Sequence, residues 1–460
     1  MLRSRSRSCL TTCAGLALAA TVGIAFSARA GEVPAAAPLP DLVTLDDALT
    51  IFRKRGFDLL IADAAVASAE GDVKIAGAVY NPGVSLGIGH TFNYDPVQSG
   101  CQTTGAGSAN PNGDGCSSNV FNVGVTDNAA IMDVVAGKRG LRLDVAHAAL
   151  KAARLSRVDA QRNLEFQVKQ QYFVALEARA LRDFAVEVAK GANQIFQLND
   201  LRYKAGAISE ADVAKVETAK LEADQALDAA EQTLRQSKVG LAFFLGVRGA
   251  VPDFSVDVDL IKFHVPQKLA SASRDKLLDE AFAHRPDVQQ LAAQMERASA
   301  SIAQAHRQLV PDLALSLGYT QEGVAPSSIQ PPTLSLSVSG NLPIIYRQEG
   351  EIAKAEADLT TQRLSRAKAE TQVSSDVEQA WVAYQTQRKL VERMESRLLD
   401  RAKRARDLVA VQYQKGAASL LEFLDAQRTY IATNGEYYQD LTGYWTAVFQ
   451  LEQAVGMDLR

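Results

Sequence analysis

Several things are scarce in this chain. Its 460 residues hold two tryptophans, four cysteines and five histidines. The histidines (His90, His147, His264, His284 and His306) are scattered, and no pair keeps the spacing of metal ligands. No serine, cysteine or aspartate sits in a nucleophile motif. A catalytic centre, a metal site and a cofactor cradle therefore lack candidates, and the chain reads as a protein without enzyme activity. Nothing beyond the first thirty residues resembles a transmembrane helix. If the chain crosses a membrane, it does so with strands.

Positive charge is scarce too. Residues 1–30 read as a signal peptide: "MLRSRSRS" is basic, "AGLALAATVGIAF" is apolar, and Ala28-Arg29-Ala30 is a small-residue cleavage site. Removing them takes away Arg3, Arg5, Arg7 and Arg29 and moves the formal net charge from −4 to −8. An acidic exported chain is a poor partner for nucleic acid. Two cysteines remain, Cys101 and Cys116, bounding the Gly/Asn/Ser-rich loop "CQTTGAGSANPNGDGC". A disulfide between them is expected in an oxidising compartment, where closing such a loop contributes on the order of 3 kcal/mol.

What is present is a repeat. "RYKAGAISEADV" from Arg202 and "QYQKGAASLLEF" from Gln412 align without a gap, matching Tyr203 to Tyr413, Gly206 to Gly416 and Ser209 to Ser419. Upstream, "NPGVSLGIG" pairs with "VPDLALSLG", and "VTDNAAIMD" with "VSGNLPIIY". The offset shrinks between these two pairings, so the first half carries an insertion, the cysteine loop. Each half reads helix, strand, loop, strand, long helix, turn, helix.

All four strand segments alternate apolar and small polar residues. "TLSLSVSG" sets Leu334, Leu336 and Val338 against Ser335, Ser337 and Ser339. One explanation is a small sheet lying on a soluble core. The other is a membrane sheet, favoured by strands of about nine to eleven residues and by polar faces without charge. Four strands cannot close a barrel, and open edges in lipid leave backbone groups unpaired at prohibitive cost. The membrane reading therefore requires several copies of the chain.

Prolines are absent, and glycines rare, from Lys138 to Tyr203 and from Gln348 to Tyr413. Each stretch predicts a rod of roughly 100 Å. Leu181, Val188 and Ile195 recur every seven residues, with Phe184 and Leu198 between them, a coiled-coil seam that Gly191 interrupts. Gly206 and Gly416 are expected to end one helix of each hairpin, and Ser209 and Ser419 to cap the next.

With the repeated layout, "FAHRPDV" at Phe282–Val288, the Asn81-Pro82 approach to the first strand and both glycine turns, the chain resembles the TolC family of outer membrane factors. "NLPIIYRQEGEIAKAEADL" is most similar to its CzcC-type heavy-metal efflux branch. The resemblance covers the chain after the leader. It implies a mainly α fold with a small β part: long antiparallel coiled-coil helices form an α-barrel, and four transmembrane strands per protomer join a trimeric twelve-stranded β-barrel. On that plan residues 31–79 are an N-terminal segment, 80–128 the first β-hairpin, 129–247 the first helical hairpin and 248–275 an equatorial connector. Residues 276–310 form a helix leading to the barrel, 311–342 the second β-hairpin and 343–460 the second helical hairpin.

The resemblance further implies the outer membrane of a Gram-negative bacterium, a homotrimer in the lipid bilayer, a periplasmic adaptor and an inner-membrane pump of RND or ABC type. The expected role is the outer membrane channel of an efflux or type I secretion system, for metal cations or drugs. A soluble periplasmic coiled-coil scaffold is the alternative. By the same resemblance Glu422 and Asp425 correspond to acids ringing the periplasmic entrance, though their spacing alone fits a solvated helix face. Asp212 and Tyr413 correspond to contacts of the closed entrance; simple packing is the other reading of Tyr413. Tyr203, Gly206, Ser209, Gly416 and Ser419 mark the tips where an adaptor would dock. Ala418 departs from the family, which has an arginine there in its best-known member, so part of the usual closing network is missing.

Overall fold

A computed structural model describes residues 38–93, 116–258, 261–322 and 330–459. The loop holding Cys101, and the side chain of Cys116, lie outside the described residues, so the disulfide does too.

The helical hairpins run as the proline gaps predict. Helix α4 spans Lys138–Lys204 without a break, and Gly191 sits inside it with open space where a Cβ would be. At 1.5 Å per residue it is about 100 Å long. Its partner α5 covers Glu210–Phe244. The second rod consists of α9 (Glu349–Arg393), one π-helical turn at Met394–Leu398 and α10 (Leu399–Gln414). Its partner α11 is Leu420–Val455. The π turn has no counterpart in α4; it places Glu395 Oε1 to accept from the Tyr437 hydroxyl of α11 at 2.7 Å. Tyr437 is thereby held protonated: burial, then the neighbouring carboxylate, pushes its pKa well up.

Shorter elements complete each half. In the first, α1 (Leu45–Arg55) and α2 (Phe57–Gly77) lead to strands β2 (Gly83–Asn93) and β3 (Cys116–Thr126), then a short α3 (Ala130–Val135). In the second, α6 (Gln267–Ala270), α7 (Arg274–His284) and α8 (Pro286–Arg307) lead to β5 (Leu313–Glu322) and β6 (Gln330–Gly340). The helix expected over 276–310 is therefore divided. Pro286 occupies the first turn of α8, where its missing N–H costs nothing, and Arg285 is extended. The Arg285 side chain is only 5% exposed, pairs with Asp287 at 2.7 Å and Asp376 at 2.8 Å, and donates to the Ala454 carbonyl at 3.4 Å. One guanidinium thus pins the corner onto α9 and the end of α11.

The core lies midway along the rods. Tyr172, Phe173 and Leu176 of α4 meet Trp445, Val448 and Phe449 of α11, Val373 and Tyr384 of α9, and Leu49 and Phe52 of α1. A two-residue parallel ladder joins β1 (Leu42–Val43) to β4 (Ser255–Val256) beside it. The Tyr172 hydroxyl locks that ladder, donating to Val43 O at 3.0 Å and accepting from Asp257 N at 3.1 Å. Burial pushes its pKa up to about 12. Nearby, Lys169 and Glu452 form an almost buried pair at 2.5 Å.

The four long strands form one antiparallel sheet in the order β2-β3-β5-β6. Register puts every apolar set on the same face: Val84, Val125, Leu317 and Leu336 lie in one row, and Leu86, Val123, Tyr319 and Leu334 in the next. The opposite face carries rows such as Ser85, Gly124, Gly318 and Ser335. The glycines keep that face low, because a Cβ at Gly87 would collide with the Asn122 amide and one at Gly124 with the Ser85 hydroxyl. The apolar face is uncovered, with Ile88 87% exposed and Leu86, Leu334 and Leu336 exposed beside it. Among the described residues both edges, β2 and β6, have no partner strand, and the sheet does not close.

Candidate functional site

The two hairpin tips are built alike. At the first, the Gly206 N–H donates to Tyr203 O and the Ala207 N–H to Arg202 O, each at 2.8 Å. At the second, Gly416 and Ala417 repeat this with Tyr413 O and Gln412 O at 3.1 and 2.8 Å. Gly206 and Gly416 have φ of 72° and 76°, the left-handed conformation that makes glycine the fitting residue. Ser209 and Ser419 then cap α5 and α11, their hydroxyls accepting from the N–H of Asp212 and of Glu422, each at 3.2 Å.

Asp212 and Glu422 are thus the same position in the repeat, the third residue of their helices. The Ser209 hydroxyl donates to Asp212 at 2.8 Å; the Ser419 hydroxyl and N–H donate to Glu422 at 2.8 and 2.7 Å. Both carboxyls are held below the usual range, Asp212 chiefly by that hydroxyl and Glu422 chiefly by the backbone N–H. Three residues on, the repeats diverge. The first tip has Lys215, 3.4 Å from Asp212, whereas the second has the exposed Asp425. One tip is balanced and the other is doubly acidic.

Tyr413 does not meet Asp212 within the chain. Its hydroxyl donates to Asn199 Oδ1 at 2.5 Å, its ring stacks on Phe423 at 5.3 Å, and the Arg202 guanidinium lies 5.5 Å from the ring centre. Arg202 also donates to Gln414 O at 2.9 Å. The ends of α4 and α10 are tied by these contacts. Tyr203, the counterpart of Tyr413, is exposed, and Ala418 lies beside the cap with no charge to offer. Sequence reasoning missed Asn199 and Arg202. The available signal was a lone asparagine next to Leu198 in an apolar seam, a position where a fully buried amide must have partners.

Among the described residues no group of three or more His, Cys, Asp or Glu side chains could hold a metal ion, and no helix is long and apolar enough to cross a membrane.

The sequence profile of the outer membrane efflux proteins matches residues 49–247 and 277–457, both halves of the repeat. The chain belongs to the outer membrane efflux protein family. Among this efflux protein's relatives is the cobalt-zinc-cadmium resistance protein CzcC of Cupriavidus metallidurans, 24% identical over 89% of each chain. Another is the pyoverdine export outer membrane protein OpmQ of Pseudomonas putida, 25% identical over 84% of this chain and 80% of its own. Among solved structures, CusC superposes with a TM-score of 0.70 at 17% identity, covering 90% of this chain and 92% of its own. The outer-membrane channel OprN gives the same score, with 90% of each chain covered. At that identity the structures speak for the fold: this efflux protein has the architecture of the TolC-family channels.

Proposed function

We propose that this chain is one third of an outer membrane efflux conduit in a Gram-negative bacterium. Three copies pool their four-stranded sheets into a twelve-stranded barrel, and their helical hairpins form a tunnel below it. The observation that carries this reading is the sheet: one face apolar and exposed, the other built of small polar residues with Glu322 at the far end of β5, both edges open. In lipid an unpaired strand edge costs several kcal/mol for each unsatisfied group, so pairing β6 of one copy with β2 of the next is the economical closure. Strands of 10 to 11 residues, tilted about 40°, span about 25 Å, the height of an outer-membrane apolar band. A soluble scaffold would need that face covered from within the chain, and its leucines are exposed instead.

The doubly acidic second tip supports a cation-favouring entrance, with Glu422 and Asp425 forming two rings in the trimer. The matched glycine turns support docking of a periplasmic adaptor, and with it an RND or ABC pump. Similarity to a protein named for cobalt, zinc and cadmium resistance favours metal cations as cargo.

The test is reconstitution. A detergent-stable trimer that conducts ions in planar bilayers, with divalent block weakened in Glu422→Ala/Asp425→Ala, supports the reading. Recovery as a soluble monomer sinks the barrel, and block unchanged in the double variant removes the rings. Loss of cobalt, zinc or cadmium tolerance on gene deletion tests the cargo.

A further inference from the structure

The sheet's lower end carries two apolar stubs that the helical tunnel does not use. Strands β3 and β6 run in the same direction, and each is followed at once by exposed aliphatic residues. After β3 comes α3, with Ile131 and Val135 exposed. After β6 comes Leu342-Pro343-Ile344-Ile345-Tyr346-Arg347, in which Ile345 is 96% exposed. Neither stub is a loose loop. Asp127 Oδ1 accepts from Ala129 N at 3.1 Å and its Oδ2 from Ile131 N at 3.3 Å, while Asp133 of α3 is buried against Arg142. In the second stub the Ile344 N–H donates to Leu342 O at 2.9 Å, and the Tyr346 hydroxyl donates to Glu351 and accepts from Gly350 N. Aliphatic side chains are thus held rigidly outward, where water would penalise them.

We propose that these stubs form a collar seated in the headgroup–acyl boundary of the membrane leaflet on the periplasmic side. This rests on the barrel reading, and the occupant it names is phospholipid. Leu342 lies two residues past the end of β6, about 7 Å at strand rise, so it prolongs the apolar face of the sheet. From there the chain passes from aliphatic to tyrosine to arginine, the order of polarity met on leaving hydrocarbon for the phosphate layer. Tyr80, before β2, is exposed at the same end; its hydroxyl is 3.3 Å from Arg142, the residue that pairs with α3. Neutral aliphatics fix the depth, tyrosines mark the interface, and the exposed Arg347 meets lipid phosphate. The collar would set the height of the barrel in the membrane and keep the helical tunnel upright beneath it.

The experiment places one added tryptophan at Ile345, Val135 or Leu336 of the full chain in phosphatidylcholine–phosphatidylglycerol vesicles and subtracts the native emission. Lipids with a doxyl quencher at acyl carbon 5 or 12 report depth. Ile345→Trp and Val135→Trp are expected to be quenched about twofold more by the shallow probe than by the deep one, as for groups 5–10 Å inside the interface. Leu336→Trp, in the middle of the sheet, should show the reverse order. If neither probe quenches the stub variants while Leu336→Trp is quenched, a second copy or water covers them and the collar is wrong. Stronger quenching of the stubs by the deep probe overturns it too. If Leu336→Trp is itself unquenched, the barrel reading has failed and the collar falls with it.

Discussion

Arg285 offers the sharpest test of how the fold is pinned. Replacing it with alanine removes a guanidinium that is 5% exposed, leaves Asp376 without its cation and leaves Asp287 with only Arg162, 3.9 Å away. Removing one member of a buried pair costs about 3–5 kcal/mol, and because both aspartates keep some solvent contact the low end applies, about 3 kcal/mol. With unfolding entropy of about 2.1 cal/mol/K per residue, a chain of this length should lose about 3–4 °C in melting temperature at a fixed scan rate. The decisive comparison is Arg285→Ala/Asp287→Asn/Asp376→Asn, in which no orphaned charge remains. It should recover much of the loss, about 1–2 kcal/mol. Acid should mimic the defect in the native protein. Burial alone would raise the Asp287 pKa, but the Arg285 hydrogen bond and charge outweigh it and hold it below the unfolded value. The stability it contributes is therefore present above the unfolded pKa and disappears as pH falls through the folded one. Thermal scans showing Arg285→Ala as stable as native at pH 7, or the triple variant no better than the single one, would refute the reasoning.

Three further outcomes are expected. Tyr413→Phe keeps the stack on Phe423 but leaves the buried Asn199 amide short of its partner, a cost of about 1–3 kcal/mol that should appear as faster amide exchange confined to the tips. Gly416→Ala meets no neighbour, so its penalty is purely conformational, about 1 kcal/mol, and Gly416→Asn should cost less in the same unfolding assay. Glu177 has its pKa raised by burial, against a smaller lowering from the Thr442 hydroxyl. Its stabilising contribution is full below the unfolded pKa and lost as pH rises through the folded one, so Glu177→Gln should gain relative to native between about pH 4.5 and pH 7; equal pH profiles for the two proteins would contradict this.

Much of this architecture was written in one dimension. Hydrophobic period and the absence of proline specified the rods, because a helix needs only local hydrogen bonds. Alternation marked the strands because successive side chains of an extended chain point to opposite faces, although their hydrogen bonds need partner strands, and the repeat matched the two hairpin tips. The glycine turns and serine caps were legible because each depends on a few neighbouring residues. Tertiary structure decided what depends on distant partners. That Tyr413 reaches Asn199, that Arg285 pins the corner between α7 and α8 by binding Asp376 and the end of α11, and that four strands pool their apolar faces on one side all require segments over 90 residues apart to meet. Local chemistry repeats along a chain and can be read from it. The pairing of buried polar groups is fixed only when folding removes their alternative, which is water.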